Sequence, residues 1–312
     1  MGSIKAVLDM DPGVDDAIAL ALAVASPEVE ILGLTTVCGN VKVEASTRNA
    51  LRVLHALGVE DVEVYPGAPR PLIKDLRTAE FIHGTDGLGD SGLPESPLKA
   101  RQLRAARFIA DLVLSSEPNS ISVITTGPLT NLAIAYLLEP TVPELLKEHI
   151  AMCGAFGLTP YGCGNVTPVS EFNAFVDPEA AKIALSAKSR KLIVGLDVTN
   201  KPEAIMDIEF YRKLDAVKSR GTALVTKVSK KVMERDRYLN LHDPMAVAVA
   251  MYRSLVRTED YFVDVVTVDD PVVRGQTVVD RRHVSKEPNA KVCVDVNGPL
   301  FLSFLYDRLS RI

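Results

Sequence analysis

Short apolar runs and amphipathic stretches alternate along the chain. Ala6–Leu8 precedes a helical pattern over Asp15–Ala25, Ile31–Val37 precedes one over Val43–Leu57, and Ile121–Thr126 precedes one over Leu129–Leu138. Ile150–Cys153 and Lys191–Val198 read as two further strands, each followed by a helical pattern. In the second helix Ala50, Val53, Leu54 and Leu57 keep the helical period. Strands that are apolar throughout are buried on both faces. Alternating with helices, they predict an α/β fold with a mostly parallel central sheet flanked by helices. Tyr261–Val268, Val272–Val279 and Lys291–Val296 read as strands with short links, a small antiparallel appendage near the C-terminus. No repeat or low-complexity tract divides the chain, so residues 1–312 are expected to form one domain.

Two stretches break the alternation. Residues 66–97 are rich in Gly, Pro and Asp and include His83-Gly84-Thr85-Asp86-Gly87-Leu88-Gly89; residues 154–168 are again rich in Gly and Pro. Long irregular segments within a compact domain usually serve function, and open parallel sheets bind ligands beyond the carboxyl ends of their strands. Polar residues just after a strand are therefore the first candidates.

The first strand runs into Asp9-Met10-Asp11-Pro12-Gly13-Val14-Asp15-Asp16. Asp15 and Asp16 open a helix, where acidic residues complement the dipole. That accounts for neither Asp9 nor Asp11, which lie on one side of an extended chain. Carboxylates packed together repel, and a cation resolves the repulsion; an all-oxygen set suits Ca²⁺ or Mg²⁺. An EF-hand is excluded because the twelfth position counted from Asp9 is Leu20, and no phosphate-binding P-loop occurs. His242-Asp243-Pro244 opens a later helix, where Asp before Pro also reads as a plain cap. Thr126, in Thr125-Thr126-Gly127-Pro128-Leu129-Thr130-Asn131, stands where a strand turns into a helix, with its carbonyl able to face the same crevice. Asn165 begins a segment that runs to Glu171-Phe172-Asn173, in which a carboxylate and an amide two residues apart suit a sugar or simply cap a loop.

Composition narrows the class. The net charge is −5, from 35 basic and 40 acidic residues, so neither a nucleic acid nor an anionic membrane is expected as a partner. The longest early apolar run, Ala17–Ala25, is too short to span a bilayer, and no basic-headed leader is seen. Four scattered cysteines (Cys38, Cys153, Cys163, Cys293) without a C-x-x-C pair read as reduced thiols, which points to a cytoplasmic protein.

Taken together, these motifs resemble the nucleoside hydrolases of the inosine–uridine-preferring family. Asp-x-Asp-Pro-Gly-x-Asp-Asp at 9–16, Cys-Gly-Asn at 38–40, His-Gly at 83–84, Thr-Gly-Pro-Leu-Thr-Asn at 126–131, Glu-Phe-Asn at 171–173 and His-Asp-Pro at 242–244 follow in order over nearly the whole chain. The resemblance implies Ca²⁺-dependent hydrolysis of the N-glycosidic bond of a ribonucleoside to free base and ribose, a role in purine or pyrimidine salvage, and a homo-oligomer, dimer or tetramer. By matching positions, Asp11, Asp16, Asp243 and the Thr126 carbonyl would ligate Ca²⁺. Asp15, Asn40 and Asn173 would hold the ribose diol, and Asn165 and Glu171 the 5′-hydroxyl. Asp9 would support the site from behind.

In that scheme Asp11 takes a proton from the attacking water as general base, and His242 stabilises the leaving base. Purine-specific members carry a stacking tryptophan, and this chain has none. His83 and His242 resemble the branch that handles inosine and uridine or prefers pyrimidines. Base contacts are expected from Val232–Tyr238, with Tyr238 and Arg235 as candidates, although Arg235 and Arg237 also read as solvated helix face. Two other classes share some features. A Mg²⁺-dependent aspartyl phosphotransferase also opens with Asp-x-Asp and would draw on the acidic pair Asp269-Asp270. A non-catalytic nucleoside-binding protein would need the carboxylates but no poised His242.

Overall fold

The computed structural model describes residues 3–282 and 286–312. In chain order the strands are β1 (Ile4–Met10), β2 (Val29–Thr36), β3 (Val64–Pro66), β4 (Ile121–Thr125), β5 (Glu148–Met152), β6 (Lys191–Val194), β7 (Met206–Asp207), β8 (Tyr238–Leu239), β9 (Val256–Tyr261), β10 (Val263–Val265), β11 (Thr277–Val279) and β12 (Ala290–Val296). Eight of them form the central sheet in the order β3-β2-β1-β4-β5-β6-β12-β9. Every pair in it is parallel except β12 with the edge strand β9. From β1 the chain first builds outward through β2 and β3, then returns to build the other way through β4, β5 and β6. The reversal leaves a crevice at the carboxyl ends of β1 and β4. Asp9 lies level with Thr35 of β2 and Thr125 of β4, so the Asp-rich segment and Thr126 emerge side by side.

The helices Val14–Val24 and His242–Met251 are apolar around most of their circumference, and the sequence accordingly buries them on nearly every side, packed against each other. Both aim their N-termini at the crevice. The helix Val43–Leu57 keeps only one buried face, through Ala50, Val53, Leu54 and Leu57, and ends on Gly58 in the left-handed conformation that glycine tolerates best.

The C-terminal strands differ from the sequence expectation. The run Lys291–Val296 is no part of an appendage: as β12 it joins the central sheet beside β6, which fits its buried Val292, Cys293 and Val294. Tyr261–Val268 is divided between β9 and β10, and of Val272–Val279 only β11 is strand, because Asp270 accepts from the amides of Val272 and Val273 in a turn. The antiparallel arm proper is the ribbon β10–β11. Lys191–Val198 also divides: β6 stops at Val194, and Leu196–Thr199 is a helical turn capped by Gly195.

Candidate active site

At the end of β1 the chain turns through Pro12-Gly13, and Asp16 accepts from the Gly13 amide at 3.0 Å, which fixes the start of the helix Val14–Val24. Asp16 also accepts from the Thr126 hydroxyl at 2.7 Å and from the Asn40 amide at 3.1 Å. Asp243 does not cap its helix. That helix begins at His242, its cap position is Leu241, and the Asp243 carboxylate is buried beside Asp15 and Asp16 instead. Ligand oxygens of Asp15, Asp16 and Asp243 all lie within 4.8 Å of one another. Asp11 stands alongside this trio: its Oδ2 accepts from the Asn40 backbone amide at 2.6 Å, and its carboxylate is hemmed in by Gly39 and Gly127. Asp9 is turned away from the pocket, its Oδ1 accepting from Thr35 and Asn131.

Burial dominates the electrostatics. It raises the pKa of Asp11 well above the carboxylate range, with the neighbouring Asp16 charge adding to the effect. Asp243 is raised well above that range by burial and then by Asp15, Asp16 and Asp11. Asp15 is pushed up to about 7 and Asp9 to about 6, burial being the leading cause for each. The Oδ1 of Asp15 is buried without a hydrogen-bond partner. A cation among these oxygens would remove both the repulsion and the orphaned acceptor. The donor set is all oxygen, which suits a hard divalent ion.

A cavity of about 270 Å³ opens from this cluster, near the lower end of the ~300–1,000 Å³ usual for small-molecule sites. Asp15, Asn40, His83, Thr126, Asn165, Glu171, Asn173, His242 and Asp243 all line it. Asn173 donates to the Thr126 carbonyl at 2.7 Å and to the Met152 carbonyl at 3.0 Å, so its amide oxygen is left for a ligand. Glu171 combines the two readings open in the sequence: it caps the helix Phe172–Val176 and also faces the cavity. His83 accepts the Val14 amide proton on Nδ1, so its Nε2 carries the hydrogen, while Nδ1 of His242 pairs with the Thr199 hydroxyl at 2.8 Å. Burial lowers both histidines to about 4, with His242 and Arg235 contributing at His83. Near neutral pH both imidazoles are uncharged.

A family model described as inosine-uridine preferring nucleoside hydrolase matches residues 6–303. The chain belongs to this family. It is 38% identical to the inosine-uridine preferring nucleoside hydrolase of Leishmania major, over 99% of this chain and 98% of that one. It is 35% identical to the pyrimidine-specific ribonucleoside hydrolase RihA of Escherichia coli O81 (strain ED1a), over 98% of each. Among solved structures, a plant nucleoside hydrolase superposes with a TM-score of 0.89 at 31% identity over 99% of each chain. A purine-preferring ribonucleoside hydrolase from Gardnerella vaginalis does so with 0.88 at 32% identity over 98% of each. This nucleoside hydrolase is thus an N-glycosidase acting on ribonucleosides. The acidic pair Asp269-Asp270, the first exposed and the second half-buried, precedes a turn and does not line the cavity, which removes the feature a phosphotransferase would draw on.

Several residues of the hydrolase's cavity escaped the sequence reading. Phe81 and Ile82 form part of its wall although both are exposed, and Met152 and Asn240 line it too. Arg235 is not on a purely solvated face: it lines the cavity and donates from Nη1 to the Phe81 carbonyl at 3.0 Å. Tyr238 lines it as well. For Phe81 and Ile82 the only available signal was the Gly-rich composition around His83, which marks a loop but names no contact; Arg235 and Tyr238 stood among the expected base contacts.

Proposed function

We propose that this hydrolase cleaves inosine, uridine and related pyrimidine ribonucleosides in a Ca²⁺-dependent reaction, with residues 1–312 acting as one catalytic domain. The observation that carries the reading is the group of buried carboxylates, of which Asp15 and Asp243 line a cavity that two neutral histidines also line. Asp11, Asp16, Asp243 and the Thr126 carbonyl would hold the cation, and Asp15 lies near enough to join them or to receive the sugar. Ca²⁺ bound there would offset the carboxylate charge and acidify a water molecule.

Every other step belongs to the chain. Asp11, held by the Asn40 amide, takes the water proton as its oxygen attacks the anomeric carbon and the glycosidic bond breaks. Asp15, Asn40 and Asn173 grip the 2′- and 3′-hydroxyls, and Asn165 and Glu171 the 5′-hydroxyl. Holding the sugar at both ends keeps the anomeric carbon in line with the attacking water. With Thr199 donating to Nδ1, His242 offers Nε2–H to the departing base, and His83 offers the same group from the opposite segment. A neutral imidazole acts here as a hydrogen-bond donor to the developing negative charge, so the base completes its protonation from solvent. The absence of tryptophan and the presence of both histidines favour inosine, uridine and pyrimidine nucleosides over a purine-specific site.

Four free cysteines, three of them buried, agree with a reducing, cytoplasmic setting. Among the described residues no helix is long and apolar enough to cross a membrane. A dimer or tetramer is further proposed from the resemblance, and sedimentation would measure it. The central test is ribose release from uridine, cytidine, inosine and adenosine, before and after exhaustive chelation and with Ca²⁺ restored. Release that disappears with chelation, returns with Ca²⁺ and is highest for uridine or inosine is the expected result. Release unaffected by chelation would remove the metal from the mechanism, and a preference for adenosine would overturn the assigned base range.

A further inference from the structure

The helix Phe172–Val176 carries Asn173 and is capped by Glu171, yet five residues are too few to hold a helix by themselves. Its N-terminal end is secured by Glu171, which accepts from the amides of Asn173 at 2.7 Å, Ala174 at 3.1 Å and Gly154 at 3.0 Å. Its C-terminal end is secured from outside the site, by Arg274 in the turn that leads into β11. Arg274 is 3% exposed. It donates from Nε to the Phe175 carbonyl at 2.9 Å and from Nη2 to the Val176 carbonyl at 3.1 Å and the Asp75 carbonyl at 3.4 Å. Its guanidinium lies 4.6 Å from the centre of the Phe175 ring, and Asp269 approaches Nη1 at 3.6 Å.

The neighbouring residues continue this clamp. Gly275, at φ +75°, passes so close to the helix that a Cβ there would come within 2.5 Å of the Ala174 carbonyl oxygen and the Phe175 Cα. Gln276 bridges to Ser170, and the Thr277 hydroxyl accepts from the Ala155 amide and donates to the Ala155 carbonyl. Residues 274–277 therefore run along both the loop whose Gly154 amide holds Glu171 and the loop that brings Glu171 and Asn173 to the cavity, while lining none of it themselves. A buried cation that satisfies the last carbonyls of a helix also offsets its dipole, and the planar fork of arginine reaches two of them at once.

We infer that Arg274 is a positioning residue for the reaction: it fixes the helix Phe172–Val176 along its axis and thereby sets Glu171, which caps that helix, at the 5′-hydroxyl of the ribose. The inference rests on the reading above that Glu171 receives the 5′-hydroxyl. Arg274→Met is expected to lower kcat/KM for uridine about 10–100-fold, the range in which small remote misplacements act. For 5′-deoxyuridine, which has no hydroxyl for Glu171 to receive, the loss is expected to be only a few-fold. Ca²⁺ affinity is expected to stay unchanged, because Arg274 touches none of Asp11, Asp15, Asp16 and Asp243. Should Arg274→Met fail to fold by circular dichroism, Arg274→Lys carries the same comparison, since it keeps the charge and most of the stem but lacks the fork.

Glu171→Gln is measured on both substrates alongside. If Glu171→Gln discriminates between them and the Arg274 variant does not, the positioning role is overturned alone. If Glu171→Gln shows no dependence on the 5′-hydroxyl, the ribose reading and the positioning role fall together. An Arg274 variant that loses activity equally on both substrates reports a general structural defect and overturns the inference.

Discussion

Asp11 is placed by two residues without side chains as much as by its own bonds. A Cβ at Gly39 would lie 2.0 Å from Asp11 Oδ2, and one at Gly127 would lie 2.7 Å from Oδ1. Gly39→Ala is therefore expected to displace the carboxylate and lower kcat about 10²-fold, with a loss of about 1–3 kcal/mol in stability from the added methyl. Saturating Ca²⁺ in the assay separates this loss from weakened metal binding. Asp11→Asn removes the proton acceptor itself and is expected to cost about 10²–10⁴ in kcat; a smaller loss would assign the base role elsewhere. At this scale the carboxylates, Asn40, Thr126, Glu171 and Asn173 were legible because their chemistry stands at strand ends or helix starts, where a parallel sheet puts its ligands. Phe81 and Thr199 were not, and Arg235 was legible only as one of two readings, a base contact or a solvated face. An arginine on an amphipathic helix carries the same sequence signal whether it meets water or, 154 positions away in the chain, the Phe81 carbonyl. Asp243 carried a misleading local signal, since Asp-Pro at a helix start is the grammar of a cap.

Among the elements, the parallel strands were the most legible, because burial on both faces leaves a continuous apolar run. What that signal lacks is partnership. Nothing in Lys291–Val296 says that it pairs beside β6 instead of within a local ribbon, and the apolar run at Lys191–Val198 hides the turn that Gly195 begins. The segment around His83 shows the same limit and also invites a test. It is tied to the helix Arg220–Asp236 at three points: Arg235 to the Phe81 carbonyl, Lys231 to Asp90, and Gly89 packed against the Val228 carbonyl. Two of the three are partly exposed and contribute modestly, so the segment is held in place without being locked. Arg235→Ala is expected to raise KM about 5-fold, the scale of one hydrogen bond, with kcat less affected and amide exchange faster across residues 80–90. Unchanged exchange there would show that Arg235 acts on the ligand directly and not through the segment.

Across the whole molecule, two sets of buried groups set the response to pH, and they act in opposite directions. His83, His149 and His242 are lowered by burial from 6.5 to about 4, 3 and 4. Below 6.5 the unfolded chain binds protons that the folded chain refuses, so stability falls as the pH drops from there. Asp9 and Asp15 are raised from 3.8 to about 6 and 7, with Asp11 and Asp243 raised well above their usual range. Here the folded chain keeps protons that the unfolded chain has already released, so the metal-free protein loses stability as pH rises from about 4 toward 7 and beyond. Ca²⁺ competes with those protons for the same oxygens, and its binding strengthens as pH rises. At a hundredfold excess over its dissociation constant it adds about 2.7 kcal/mol, which for a chain of this size is a rise of about 5 °C in melting temperature. At one fixed Ca²⁺ concentration the rise is expected to be clearly larger at pH 7.5 than at pH 5.5, read by thermal unfolding of chelated and Ca²⁺-loaded protein. An equal rise at both values would mean that the ion binds away from the raised carboxylates, and the proposed ligand set would have to be abandoned.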